Sequence, residues 1–136
     1  ADPDTRRLKV ANLRQVVDLA RALDLPLNVG TEMNSFGQKE VDDFDVPELA
    51  PFRQAFLDGA HWVYGHTAMQ RALGLGYQSD WARAHLPLRR QRNEFYSRAG
   101  ARILPGAGSM ARLRQLSPAL SPAEILARID ASGTSA

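Results

Sequence analysis

The sequence predicts an α/β fold, mostly helical, with a small parallel sheet of two βα units. Three observations carry that expectation. Leu27 to Met33 is a short apolar run leading into a polar, glycine-marked turn. His61 to Thr67, His-Trp-Val-Tyr-Gly-His-Thr, is a second short run, aromatic and β-branched. Helical patterns stand before and after each run, so helix, strand, helix, strand follow in order with connections suited to a parallel, right-handed pair.

The first helix is expected to start at Asp2-Pro3, with aspartate as cap and proline at the first helical position. Leu13, Val16, Val17, Ala20 and Leu23 recur at helical spacing, with Arg14, Gln15, Asp18 and Arg21 opposite them. Asp24-Leu25-Pro26 ends the helix, because proline disfavours helical geometry in the residue before it. After the first strand, the acidic stretch Glu40 to Asp45 leads to a second helix. Asp45 and Glu48 around Pro47 form a capping-box spacing, Leu49, Phe52, Phe56 and Leu57 give a core face, and Asp58-Gly59 stops the helix.

Beyond the second strand everything reads as helical. Ala68 to Leu75 ends at Gly74 and Gly76, and Ser79 caps a helix through Leu86. Pro87 opens a longer one, with Leu88, Gln91, Phe95 and Ala99 on one face and Gly100 at its end. Residues 101–108, with Pro105, Gly106 and Gly108, form a connector. A short helix near Met110 to Leu116 follows, and Ser121-Pro122-Ala123-Glu124 is a capping box for a last helix with Ile125, Leu126 and Ile129 inward. The main body is therefore expected over residues 1–100 and a helical extension over 101–136.

With 136 residues, 44% hydrophobic and 24% charged, the chain has the composition of an ordinary globular protein able to bury a core. No apolar run approaches the roughly 20 residues that span a bilayer, and no secretory signal opens the chain, so a cytoplasmic location is expected. There is no cysteine, so any metal site must use His, Asp or Glu. Ala1 stands where an initiator methionine would, which suggests a longer parent protein. Residues 1–87 hold 9 basic and 12 acidic groups (−3), residues 88–136 hold 8 and 3 (+5), and the sum is the formal +2. Such a basic half can face an acidic partner or simply be a solvated surface.

Glu32 and Asn34, at alternate positions of a strand end, would point to one side. A carboxylate and an amide converging there suit a metal, a general base or a bound polar ligand, and alternatively make turn hydrogen bonds only. His66, at the end of the second strand, could ligate a metal or move a proton. His61 and His85 read as structural. Asp42, Asp43 and Asp45 lack the spacing of a calcium loop and read as solvated. Arg89, Arg90, Arg92, Arg98 and Arg102 interleave with Phe95 and Tyr96, but at helical spacing the arginines spread around the cylinder, which disfavours nucleic acid.

Glu32-Met33-Asn34-Ser35-Phe36-Gly37, followed after a helix by Tyr64-Gly65-His66-Thr67, resembles the C-terminal part of the PHP (polymerase and histidinol phosphatase) superfamily. That family carries a Glu-x-Asn strand, a Ser/Thr-Gly turn and a final strand ending in Gly-Ser-Asp-x-His. This chain has one residue inserted before the glycine and lacks the aspartate. The resemblance spans about residues 10–70. It implies the last portion of a distorted β/α barrel and a metal-dependent hydrolase acting on small phosphorylated substrates. It also implies a divalent ion such as zinc or manganese, with Glu32 and His66 as ligands and Glu32 and Asn34 in catalysis. Two lone strands leave edges that need covering, so the partner would be the N-terminal remainder of the same protein or a second copy. The competing expectation is a non-catalytic helical interaction or regulatory module using the arginine-rich helix over 88–100.

Overall fold

The computed structural model describes residues 2–30, 36–37 and 43–133, apart from the side chains of residues 132 and 133. The elements are α1 (Pro3–Ala22), a 3₁₀ turn (Ala50–Phe52), α2 (Arg53–Leu73), α3 (Asp80–His85), α4 (Arg89–Arg102), α5 (Ala107–Leu113) and α6 (Pro122–Gly133). The described residues contain helices and no strand, which corrects the α/β expectation with its parallel sheet. Among the described residues there is accordingly no sheet edge for a partner to cover. Two compact units divide at Gly59: Ala1–Gly59 and Ala60–Ala136.

In the first unit, α1 begins as its sequence dictates. The Asp2 carboxylate accepts from the Thr5 amide at 3.0 Å, satisfying an amide that the first helical turn leaves open. Val17 and Ala20 are buried as expected, whereas Val16 and Leu23 remain about half exposed at 53% and 51%. The Arg14 guanidinium lies 5.3 Å from the Phe52 ring centre. The expected helix start at Asp45 is instead a turn: Asp43 accepts from the Asp45 amide at 3.0 Å, and Asp45 pairs with Arg53. Glu48 meets Arg6 at 3.0 Å rather than closing a capping box. Its carboxyl is held below the usual carboxylate range by a backbone hydrogen bond and then by Arg6. Leu27 to Gly30 form no strand, and residues 31–35 lie outside the described residues.

Gly59 was expected to end a helix; it lies inside α2 and is buried. A methyl group there would overlap the carbonyl oxygen of Leu27, so the missing side chain admits a neighbouring backbone instead of stopping the helix.

The expected strand at His61 to Thr67 is likewise the middle of α2. Burial there follows helical spacing: Gly65, Ala68 and Met69 are buried, at i, i+3 and i+4. Strand propensity spans only about 1 kcal/mol per residue, and packing of a helical face overrides it. The core of the second unit gathers Ala68 and Met69 of α2, Ala82 of α3, Phe95, Tyr96 and Ala99 of α4, Leu113 of α5, and Ile125 and Ile129 of α6. Each large side chain fully buried contributes roughly 1.5–3 kcal/mol. Gly74 ends α2 at φ +72, and the Ser79 hydroxyl caps α3 by accepting from the Ala82 amide at 3.1 Å. In α6 the capping box is complete: Ser121 donates its amide to Glu124 at 2.8 Å, and the Glu124 amide donates to the Ser121 hydroxyl at 3.4 Å. Gly100, expected to end α4, is buried two residues before the helix does end, at Arg102.

Gly65 and Gly100 are the points where α2 and α4 cross. A methyl group at Gly65 would overlap the carbonyl oxygen of Tyr96 and lie 2.7 Å from the Gly100 amide nitrogen. One at Gly100 would overlap the carbonyl oxygen of His61. The obstacles are backbone atoms, which cannot rotate aside. Gly65→Ala is therefore expected to destabilise the protein by about 3 kcal/mol, the upper end of overpacking costs. Urea denaturation followed by circular dichroism measures it, and an unchanged midpoint would contradict a close crossing.

Candidate functional site

Trp62, His66, Tyr77, Arg92 and Tyr96 of the second unit gather in one cluster at α2 and α4. His66 sits mid-helix, its ring stacked on Trp62 one turn earlier, with centroids 6.0 Å apart at 17°. Tyr96 of α4 meets the same imidazole edge-on at 6.0 Å. The His66 Nδ1 accepts the backbone amide of Tyr77 at 3.0 Å. In the neutral ring that assigns the proton to Nε2, so neither nitrogen presents a lone pair to a metal.

Tyr77 closes the cluster from the loop between α2 and α3. Its hydroxyl donates to Asn93 at 2.8 Å, Trp62 packs edge-on against its ring at 5.3 Å, and the Arg92 guanidinium lies 5.2 Å from its centre. Arg92 also donates to the carbonyls of Leu86 at 2.9 Å and Pro87 at 3.1 Å, which fixes the entry to α4. The buried Tyr96 hydroxyl donates to the Leu75 carbonyl at 2.8 Å. Burial pushes this phenol well above its ordinary ionisation range, more strongly than the Ser79 hydroxyl and then Arg92 oppose it. Trp81 reaches across to the carbonyl of Leu120 at 2.9 Å.

Of the residues expected to carry chemistry, His66 alone is among those described; Glu32 and Asn34 lie outside them. Among the described residues no group of three or more His, Asp or Glu side chains could hold a metal ion. That leaves the metal-binding and hydrolase expectation without a site among the described residues. No helix of the described residues is long and apolar enough to cross a membrane.

A second feature has no counterpart in the sequence expectations. Arg102 at the end of α4, Arg112 of α5 and Arg128 of α6 line one hollow, with Ser109 in its wall. Ser109 is the buried polar side chain of the described residues, at 9% exposure, and its hydroxyl accepts from Arg112 at 3.1 Å. Sequence shows the arginine excess of residues 88–136 but not which arginines converge.

His66→Phe keeps the ring and removes the acceptor, so the Tyr77 amide loses its partner. The expected cost is about 1–3 kcal/mol, with faster hydrogen exchange at the Tyr77 amide. Tyr96 predicts a dependence on pH. The unfolded phenol ionises near pH ~10, while the buried one keeps its proton to higher pH. The stability tied to it is complete below pH ~10 and is lost as pH rises beyond that value. Urea titrations at pH 8 and pH 11 should show a larger loss in the wild type than in Tyr96→Phe; equal losses would contradict it.

No family model matches the chain, and neither a curated protein nor a solved structure does.

Proposed function

We propose that this chain is a non-catalytic helical interaction module, whose second unit presents the basic face of α4 to an acidic surface of a partner protein. The observation that carries this reading is how α4 sorts its residues. Phe95, Tyr96, Ala99 and Gly100 are buried, while Arg89, Arg90 and Arg98 are exposed. Arg98 pairs with Glu94 at 3.5 Å, within the same helix and at the surface, where such a pair contributes little. Over Arg89–Arg102 the helix carries five arginines against one acidic residue, Glu94. The imidazole and phenols of the neighbouring cluster are occupied in joining helices. A surface of this kind steers an acidic partner and sets orientation more than it supplies raw affinity.

Binding of a labelled poly-glutamate peptide, followed by fluorescence anisotropy, tests the reading. Affinity should fall steeply as salt rises, and Arg89→Glu with Arg90→Glu should weaken it by about tenfold, or ~1.4 kcal/mol. Equal binding by wild type and the double variant would overturn it.

A second reading rests on Glu32-Met33-Asn34-Ser35 and on Gly37, whose φ of +81 is the left-handed conformation a glycine-marked turn uses. In that reading the chain contributes Glu32 and Asn34 to the site of a PHP-like, zinc- or manganese-dependent phosphoesterase completed by further chain. Glu32→Ala in the complete protein would then abolish phosphomonoester turnover, whereas the module reading expects no effect of that substitution on partner binding.

A further inference from the structure

We propose that the exposed face of α1 pairs, parallel and in register, with α1 of a second copy of this chain. Leu8, Val16 and Leu19 are 61%, 53% and 59% exposed, and half-exposed Leu23 continues the row. At 3.6 residues per turn these four lie within one stripe, less than a quarter of the helix circumference wide. Val17 and Ala20, which are buried, lie to one side of it.

The size of the stripe sets the strength of the pair. Apolar patches of about 300–600 Å² are the largest that a monomer usually shows, and they often mark interaction sites. A standard interface takes about 800 Å² and roughly 20–30 residues from each partner. Four half-exposed side chains fall short of that, and Gln15 and Ala22 stand where a continuous leucine seam would have two more. The pair therefore belongs to the weak, concentration-dependent class, below about 1,200 Å² in total.

Two polar details select a second copy as the occupant. Asn12 is exposed in the middle of the stripe, one turn from Leu8 and one from Val16. Its amide carries both donors and an acceptor, so it is complementary to an identical amide. Parallel pairing in register sets Asn12 against its own copy, while Leu8, Val16, Leu19 and Leu23 also meet their equals. A single asparagine in an apolar helix seam fixes register in this way, at a cost in stability. An antiparallel pair centred on the stripe would set Asn12 against Leu19 and leave the amide unpaired.

The second detail is charge. With Asn12 at the central a position of a heptad, Asp4 falls at g and Lys9 at the next e, on opposite flanks of the stripe. Those positions face each other across a parallel pair, so the symmetric arrangement makes two Asp4–Lys9 contacts. Asp4 also meets Arg7 of its own helix, but both side chains are largely exposed, and such a contact contributes little. The contacts across the pair set orientation more than affinity.

Sedimentation equilibrium of the full chain, from about 10 μM to about 1 mM, tests the pairing. The average mass is expected to rise from monomer towards dimer. Leu19→Asp, at an exposed position, should weaken association at least tenfold with the helical dichroism unchanged. Lys9→Glu should weaken it about threefold, and Asp4→Lys combined with Lys9→Glu should restore it. Cross-linking reads the register. The chain has no cysteine, so Leu8→Cys joins two copies only where position 8 meets position 8. Under oxidation it should form a linked dimer much faster than Asp18→Cys, which is exposed on another side of α1. Equal association of wild type and Leu19→Asp, or equal cross-linking rates at positions 8 and 18, would overturn the proposal. So would a wild type that stays monomeric throughout; a lowered urea midpoint in Leu19→Asp would then show that the chain covers this face itself.

Discussion

The second unit depends on the approach of two backbones, α2 at Gly65 and α4 at Gly100. At an ordinary interhelical distance of about 8–10 Å, side chains fill the space between two helices. With glycine on both sides, the carbonyls of His61 and Tyr96 sit where methyl groups would otherwise be. That approach sets the place of α4, and α4 in turn carries Phe95, Ala99 and Ile103 to the apolar stripe Ile125, Leu126 and Ile129 of α6.

Around this crossing, polar atoms act as struts. His66 accepts from the Tyr77 amide, Tyr96 donates to Leu75, and Trp81 donates to Leu120. Each bond ties a helix to a segment outside any helix, where backbone groups have no neighbour in an α-helical ladder to satisfy them. The bonds stabilise modestly when made and cost more when one partner is lost. Within the described part of the second unit, the polar aromatic groups thus serve the fold. Arg89, Arg90 and Arg98 of α4 are exposed, and Arg102, Arg112 and Arg128 line a recess.

Local chemistry in the sequence was sufficient for four of the helix ends. Asp2-Pro3 starts α1, Ser79 caps α3, Gly74 ends α2 in the left-handed conformation, and Ser121 with Glu124 closes a capping box on α6. These interactions join residues a few positions apart, so the sequence contains both partners. The inward face of α6 followed from the same spacing.

Tertiary structure decided what glycine and aromatic residues do. In sequence Gly59 and Gly100 look like the ends of helices and Gly65 like part of a strand, because nothing local distinguishes a glycine in those roles from one at a close contact. Which role it takes depends on a backbone distant in the chain: Leu27 for Gly59 and the α2–α4 crossing for the other two. His61 to Thr67 carries the aromatic and β-branched residues of a strand, yet its burial repeats at three and four residues because Tyr96 and Gly100 pack against one side of it. The candidate site divides in the same way. Glu32 and Asn34 lie outside the described residues, and His66 was recognisable as a chemically capable side chain, but its proton is placed by the Tyr77 amide, eleven residues on. The arginine count of the C-terminal half is a property of sequence. The meeting of Arg102, Arg112 and Arg128 around one recess comes from the packing of three helices, whose relative positions no local pattern encodes.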